Sequence, residues 1–304
     1  MDFLKAVFLV GLAVLVIDPA TAQVSKAPAS FDMHSPATKN YLGVRTWTGS
    51  SSTDTSLKFR SSAAGAAWHG GIGTGLARIN VKGDQGLNLG ALGPVKADVD
   101  LSADDFSDLM ESAIGFGGYL TNGSVMMQYS LAKLKLGGDP SGTLESGASY
   151  DGEWSFDITV GELTVGYPIY RHPEGKIFLQ PYVGVRYMKH ELGAELTVVA
   201  ETTTEVSRGI DNNWTDALLG AAANIGVSRK VRWNTRADVG FGGSNGTFAV
   251  ATALTWTPLR WLTLSPNAFL KAIDFENGEE GDTDWYLYDT NEFGWGLAFM
   301  IHLF

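Results

Sequence analysis

From Val231 to Gly242 the chain reads VRWNTRADVGFG, and its residues sort by simple alternation into two sets. Val231, Trp233, Thr235, Ala237, Val239 and Phe241 form one; Arg232, Asn234, Arg236, Asp238, Gly240 and Gly242 form the other. Successive strand side chains point to opposite faces, so an extended chain here has one apolar face with an aromatic near each end. The other face is charge, amide and bare backbone. A strand with lipid on one side and a polar lumen on the other requires that division. A tilted strand crosses bilayer hydrocarbon in about 9 to 11 residues, which this stretch supplies. Turning it by one register puts Arg232 and Arg236 into lipid, at about 2–4 kcal/mol each near the midplane, so its facing is strongly specified.

The pattern recurs. Strands are expected at 76–82, 113–121, 124–136, 153–170, 176–197, 213–228, 231–242, 247–258, 261–275 and 292–304. No sustained helical period and no run of 18 apolar residues competes with them. Short turns (Asn122-Gly123, His172 to Gly175, Arg229-Lys230, Leu259-Arg260) alternate with connections that are mostly longer and acidic (137–152, 198–212, 243–246, 276–291). Outer-membrane barrels place short turns on the periplasmic side and longer loops outside, which sets the direction of every strand. The expected fold is all-β, a transmembrane antiparallel up-and-down barrel of about ten strands. Eight remains possible, as does twelve if a hairpin at 41–60 joins the wall. Tyr167, Tyr170, Trp233, Trp256, Trp261 and Phe304 then fall at periplasmic ends. Trp154, Tyr187, Trp214, Phe241, Phe248, Phe275, Phe293 and Trp295 fall toward the outer ends, giving two interfacial girdles.

Two local features break the meander. Ser102 and Asp105 make a capping box ahead of Phe106, Leu109 and Met110, so a short amphipathic helix is expected at 102–110, folding into the barrel mouth as a partial plug. In 153–170 the apolar parity changes. Trp154, Phe156, Ile158 and Val160 precede Leu163, Val165, Tyr167 and Ile169, and with apolar read as outward this predicts a bulge near Gly161 and Glu162.

Residues 1–22 have the form of a cleaved signal segment: Lys5, the apolar run 6–17, then Ala20-Thr21-Ala22. Residues 23–75 read as a periplasmic leader and 76–304 as the barrel, exported to the outer membrane. Composition agrees: 37 glycines, 9 tryptophans and 10 tyrosines suit a barrel wall. The formal charge of -11 excludes a basic nucleic-acid surface. The absence of cysteine excludes disulfides and thiolate metal sites. No cofactor or metal is expected.

The polar faces nominate a lumen: Arg78, Asp157, Glu162, Arg186, Asp216, Arg232, Asn234, Arg236, Asp238 and Lys271, with Asn224 and Asn267. Such charges either pair into a ladder that braces a narrow barrel or form a constriction for small solutes, with Arg186, Arg232, Arg236 and Asp238 setting the field. Among the five histidines, His190 adjoins Glu191, but neighbouring strand residues face opposite sides and no Ser-His pairing is marked, so no enzyme is expected. The run Glu276 to Glu292 holds seven carboxylates and no basic residue. It reads as a solvated loop, as a binder of divalent cations that bridge lipopolysaccharide, or as a surface presenting Trp285, Tyr286 and Tyr288 to a partner.

DVDLSADDFSDLMESAIGFGGYL at 98–120, GVRY at 184–187, WTDALLGA at 214–221, RADVGFGG at 236–243 and the terminal Phe304 resemble a family of Gram-negative outer-membrane proteins with porin-like or OmpA-like small barrels. The resemblance implies a monomer in contact with outer-membrane lipid and lipopolysaccharide, inserted by the barrel-assembly machinery through Phe304. The expected role is structural or porin-like, supporting slow diffusion of small solutes. The alternatives are a surface interaction protein acting through acidic loops and, behind it, a lipid-modifying enzyme.

Overall fold

The structure is a computed structural model describing residues 68–88, 93–139, 141–143, 149–172, 177–199 and 203–303. The expected signal segment, the hairpin at 41–60 and Phe304 lie outside the described residues. In chain order the first elements are β1 (His69–Asn88), β2 (Pro94–Leu101), α1 (Ala103–Leu109), β3 (Met110–Thr121), β4 (Met126–Gly138), β5 (Ser141–Thr143) and β6 (Ser149–Gly166). They are followed by β7 (Tyr170–Arg171), β8 (Ile177–Val199), β9 (Thr203–Gly226), β10 (Val231–Phe241), β11 (Gly246–Leu259), β12 (Leu262–Asn277) and β13 (Tyr286–His302).

Ten strands form the wall in the order β6, β4, β3, β1, β13, β12, β11, β10, β9, β8, and β6 pairs with β8 to close it. All neighbours run antiparallel, and closure leaves the wall without the free edges of an open sheet. The short strands β2, β5 and β7 extend single edges of β1, β6 and β8. The turns at 122–125, 227–230 and 260–261 lie at one end, and in the first of them the Asn122 side chain accepts from Ser124 and Val125 N–H while Gly123 takes a φ of 82°.

The strands outrun the membrane. β8 and β9 hold 23 and 24 residues. At about 3.3 Å per residue and a tilt near 40°, they stand about 60 Å tall, against an apolar belt of about 25 Å. Much of the expected outer loops is therefore strand. The connection at 198–212 is the top of the β8–β9 hairpin, and 276–291 keeps only the turn between Asn277 and Tyr286.

Height decides which side chains face in. Near the short-turn end, Leu163, Val165, Val183, Val185, Leu219, Trp233, Leu254, Trp256, Leu297, Phe299 and Ile301 point outward and are exposed, as a lipid-facing belt requires. Tyr187, Phe241, Phe248, Phe293 and Trp295 mark its upper border. Above that border the outward positions turn polar (Lys133, Lys135, Asp157, Lys189, Glu191, Asp211) and the inward ones apolar. Ile79, Val81, Leu134, Leu136, Trp154, Phe156, Ile158, Met188, Leu192, Trp214, Ile273 and Phe275 are all buried in one core cluster.

This inversion corrects several expectations. β6 keeps unbroken register with β4 from Met126↔Gly166 to Gly138↔Trp154, and with β8 from Ser149↔Val199 to Gly166↔Tyr182. There is no bulge at Gly161: one parity points inward throughout, and only the surroundings of the strand change. Trp154, Trp214 and Phe275 belong to the core and not to the outer girdle. The helix forms with its capping box intact, Ser102 Oγ bonding the Asp105 amide and Asp105 the Ser102 amide. It does not lie across the mouth. It lies against β1, where the Ala103 amide donates to Asn80 Oδ1 at 3.0 Å and Asp104 pairs with Arg78, while Phe106 turns into the core.

Candidate functional site

At the height of the upper belt border, four charged side chains from three strands converge inside the barrel. β6 brings Glu162, β8 Arg186, and β10 both Arg236 and Asp238, two residues apart on one face. Arg186 grips Glu162 Oε2 through Nε at 3.1 Å and Nη2 at 2.8 Å, and reaches Asp238 Oδ1 at 2.9 Å. Arg236 Nη2 donates to Glu162 Oε1 and to Asp238 Oδ2, both at 2.7 Å. The Tyr182 hydroxyl donates to Asp238 Oδ2 at 2.8 Å and accepts from Arg236 Nε at 3.0 Å. Two cations meet two anions, so the group is neutral, and every carboxylate oxygen has a charge-assisted donor. The side chains of Arg186, Asp238, Arg236 and Glu162 are 2%, 0%, 6% and 7% exposed, so the group is buried.

The other nominated residues take separate places. Lys271 pairs with Glu292 at 2.9 Å, and Glu292 also accepts from Tyr288. Asp216 points inward and holds the β10–β11 turn by accepting from the Gly243 and Ser244 amides at 3.1 and 2.8 Å. Arg232 donates to Asn224, which bonds Asn234, which donates to Thr255 at 3.1 Å, forming a separate polar row nearer the short-turn end.

Arg78 and Asp157 do not reach the lumen. Arg78 lies outside over the Trp295 ring, beside Asp104. Asp157 pairs on the outer face with Lys133 at 2.9 Å. Both sit where the hydrophobic inversion has already occurred, so their polar parity is the outward one. Tyr182 was not nominated, although its alternation with Gln180 and Arg186 on one face was available in the sequence. His302 joins Tyr119 and Thr263 at 2.9 and 2.8 Å near the short-turn end of the barrel.

Above the charged group the interior is aromatic. His190 lies among Phe156, Trp214, Tyr286 and Tyr288, with ring centroids 5.1, 4.9, 6.0 and 4.7 Å away, and its Nδ1 is 2.8 Å from the Tyr286 hydroxyl. Phe275 stacks on Trp214 at 3.9 Å. At the rim the acidic turn is pinned and not loose. Asn88 donates to the Gly281 and Asp282 carbonyls, and the buried Trp285 donates to Glu276 at 2.9 Å. Just below, Asp84, Asp289 and Asp274 face one another across β1, β13 and β12.

No protein-family model matches the sequence, and no curated protein resembles it significantly. Solved structures do resemble the fold. The outer membrane protease OmpT from Escherichia coli superposes with a TM-score of 0.52 at 7% identity, over 82% of this chain and 100% of that one. Ail, the attachment invasion locus protein of Yersinia pestis, gives 0.27 at 11% identity over 77% and 98%, and Neisserial surface protein A gives 0.27 at 10% over 77% and 96%. The chain has the fold of an outer-membrane β-barrel protein.

Proposed function

We propose that the protein is an integral outer-membrane barrel that conducts no solute and acts at the cell surface through the part of the barrel standing above the lipid. The observation that carries this reading is the sealed group Glu162, Arg186, Arg236 and Asp238. A pore needs charged side chains that solutes can reach; these are buried against one another and against Tyr182 and Thr247. The pinned acidic rim around Trp285 favours the surface role, because a partner meeting it binds a preformed shape and loses little entropy in ordering it.

The outward row Lys133, Lys135 and Lys189, each paired with a carboxylate, sits at headgroup height and is suited to lipopolysaccharide and its bridging cations. Lys135 donates to Glu111, and Lys189 to Glu191 and Asp211, so each ammonium is held beside carboxylates at that height. The test is single-channel recording of the mature protein in planar bilayers. The reading expects no discrete steps across a wide voltage range. Steps whose ion preference changes on Arg236→Glu would restore the porin reading.

A further inference from the structure

We propose that the aromatic upper interior is a binding site for a small apolar molecule bearing one acceptor group, such as an aromatic carboxylate, received from the outer leaflet. This goes beyond the surface role and stands whether or not the barrel conducts. Three buried donors carry it. His190 Nε2, the Asn212 amide nitrogen and the Trp214 indole nitrogen find no hydrogen-bond partner among the described residues. With the Tyr286 hydroxyl donating to Nδ1, the ring proton sits on Nε2 and makes it a donor.

The three donors share one patch. His190 and Asn212 face each other across the β8–β9 ladder, and Trp214 follows Asn212 on the same inner face with its ring 4.9 Å from His190. All three lack an acceptor, and leaving buried donors unmade is costly. A molecule with one acceptor oxygen or carboxylate supplies what they lack. The rest of it must be apolar, because Phe156, Met188, Leu192, Phe275 and Tyr288 form the surroundings. These rings meet one another, so an incoming molecule parts the Trp214–Phe275 stack.

The wall offers one way in. β1 pairs with β3 only from His69↔Thr121 to Gly73↔Gly117, and β1 next pairs on that side with β2, from Val81↔Leu101 upward. Between those points the two edges are bridged by Thr74 Oγ1 donating to the Gly115 carbonyl at 2.7 Å and are flanked by α1. Leu76 and Ile114 beside this seam are the most exposed large apolar residues of β1 and β3, at 77% and 71%. Ala113, whose parity points inward, is exposed as well. Phe106, the buried residue of the α1 helix that flanks the seam, belongs to the same apolar cluster as the His190 box.

The test is calorimetric titration of the folded full chain in detergent with benzoate, and with toluene as the ring without an acceptor. Benzoate is expected to bind more tightly than toluene. Trp214→Phe and Asn212→Leu, each removing one donor, should weaken benzoate about tenfold or more relative to toluene. Heat-modifiable gel mobility confirms that each variant is folded. Phe106→Ala should speed benzoate association without changing its affinity, and an unchanged rate overturns the route. No benzoate binding at millimolar concentration overturns the site. So does binding indifferent to both donor variants, or a crystal structure in which only ordered water bridges the three nitrogens.

Discussion

Replacing Glu162 by Gln removes one charge from a neutral group of four and leaves two guanidinium ions sharing Asp238. Gln keeps the shape but offers one carbonyl where the carboxylate took three short donor contacts, two from Arg186 and one from Arg236. Breaking a buried pair on one side costs about 3–5 kcal/mol, mostly because the partner stays charged and unmatched. Arg236→Met errs in the opposite sense, leaving Glu162 and Asp238 to a single arginine, and the same magnitude applies. The double variant restores neutrality, with Arg186 facing Asp238 alone. It should therefore be less destabilised than the sum of the singles by about 2 kcal/mol, within the range seen for directly coupled residues. Urea unfolding in lipid vesicles, read by gel mobility, gives the three free energies. Additivity within about 0.5 kcal/mol would mean that the four side chains do not act as one unit, and the bracing argument would fail.

Three further outcomes are expected. Gly294→Ala sets a methyl 2.4 Å from the Phe269 ring, an overpacking that should cost about 1–3 kcal/mol by the same urea assay, and adding Phe269→Leu should recover part of it. Trp285→Ala should unpin the acidic turn by removing its bond to Glu276 and its buried bulk; cleavage between 278 and 284 by a glutamate-specific protease should rise while gel mobility stays that of a folded barrel, and unchanged cleavage refutes the anchoring role. Asp105 is held below the ordinary carboxylate value of 3.8 by hydrogen bonds from the Ser102 hydroxyl and amide, so its capping is complete above that value and is lost as pH falls through the lower, folded one. Protection of the first α1 amides, taken relative to the intrinsic exchange rate at each pH, should fall in acid for this reason, and an Asp105→Asn chain should show no such acid step.

β10 was readable because its described span keeps lipid outside and charge inside, so apolar could be equated with outward from Trp233 to Phe241. The same equation failed on β6 and on upper β1. Trp154, Phe156, Ile158, Val160 and then Glu162 share one inward parity, but an apolar run followed by a charge resembles a register shift when only one environment is assumed. Arg78 and Asp157 were assigned inward for the same reason. The strand order and the capped helix survived because alternation, short turns and the Ser102–Asp105 box are local signals. Glu162 faces Arg186 directly across the β6–β8 ladder, but the meeting of that pair with Arg236 and Asp238 depends on the relative stagger of β8, β9 and β10, which no single strand's pattern encodes. Tyr182 illustrates the limit: its partners come from β10, 54 and 56 residues along the chain.

The height of the charged group follows from the two environments. Within the belt, lipid covers the outer face, and an apolar interior would leave a strand equally content either way round; polar inward residues impose the penalty that selects one facing. Above the belt, water covers the outer face and burial of apolar side chains inside becomes the driving force, as in a soluble barrel. The border between these regimes is where inward residues change from Thr164 to Glu162 to Val160 on β6, and from Tyr182 to Arg186 to Met188 on β8. Ionic side chains placed there rest on an apolar ceiling that excludes water from above, which strengthens each contact among them and makes each unmatched charge more costly. A wide aqueous lumen would dissolve that ceiling and weaken the pairs together. Ion pairing at the belt border and an apolar core above it are thus one arrangement, set by the change from lipid to water along the outer face.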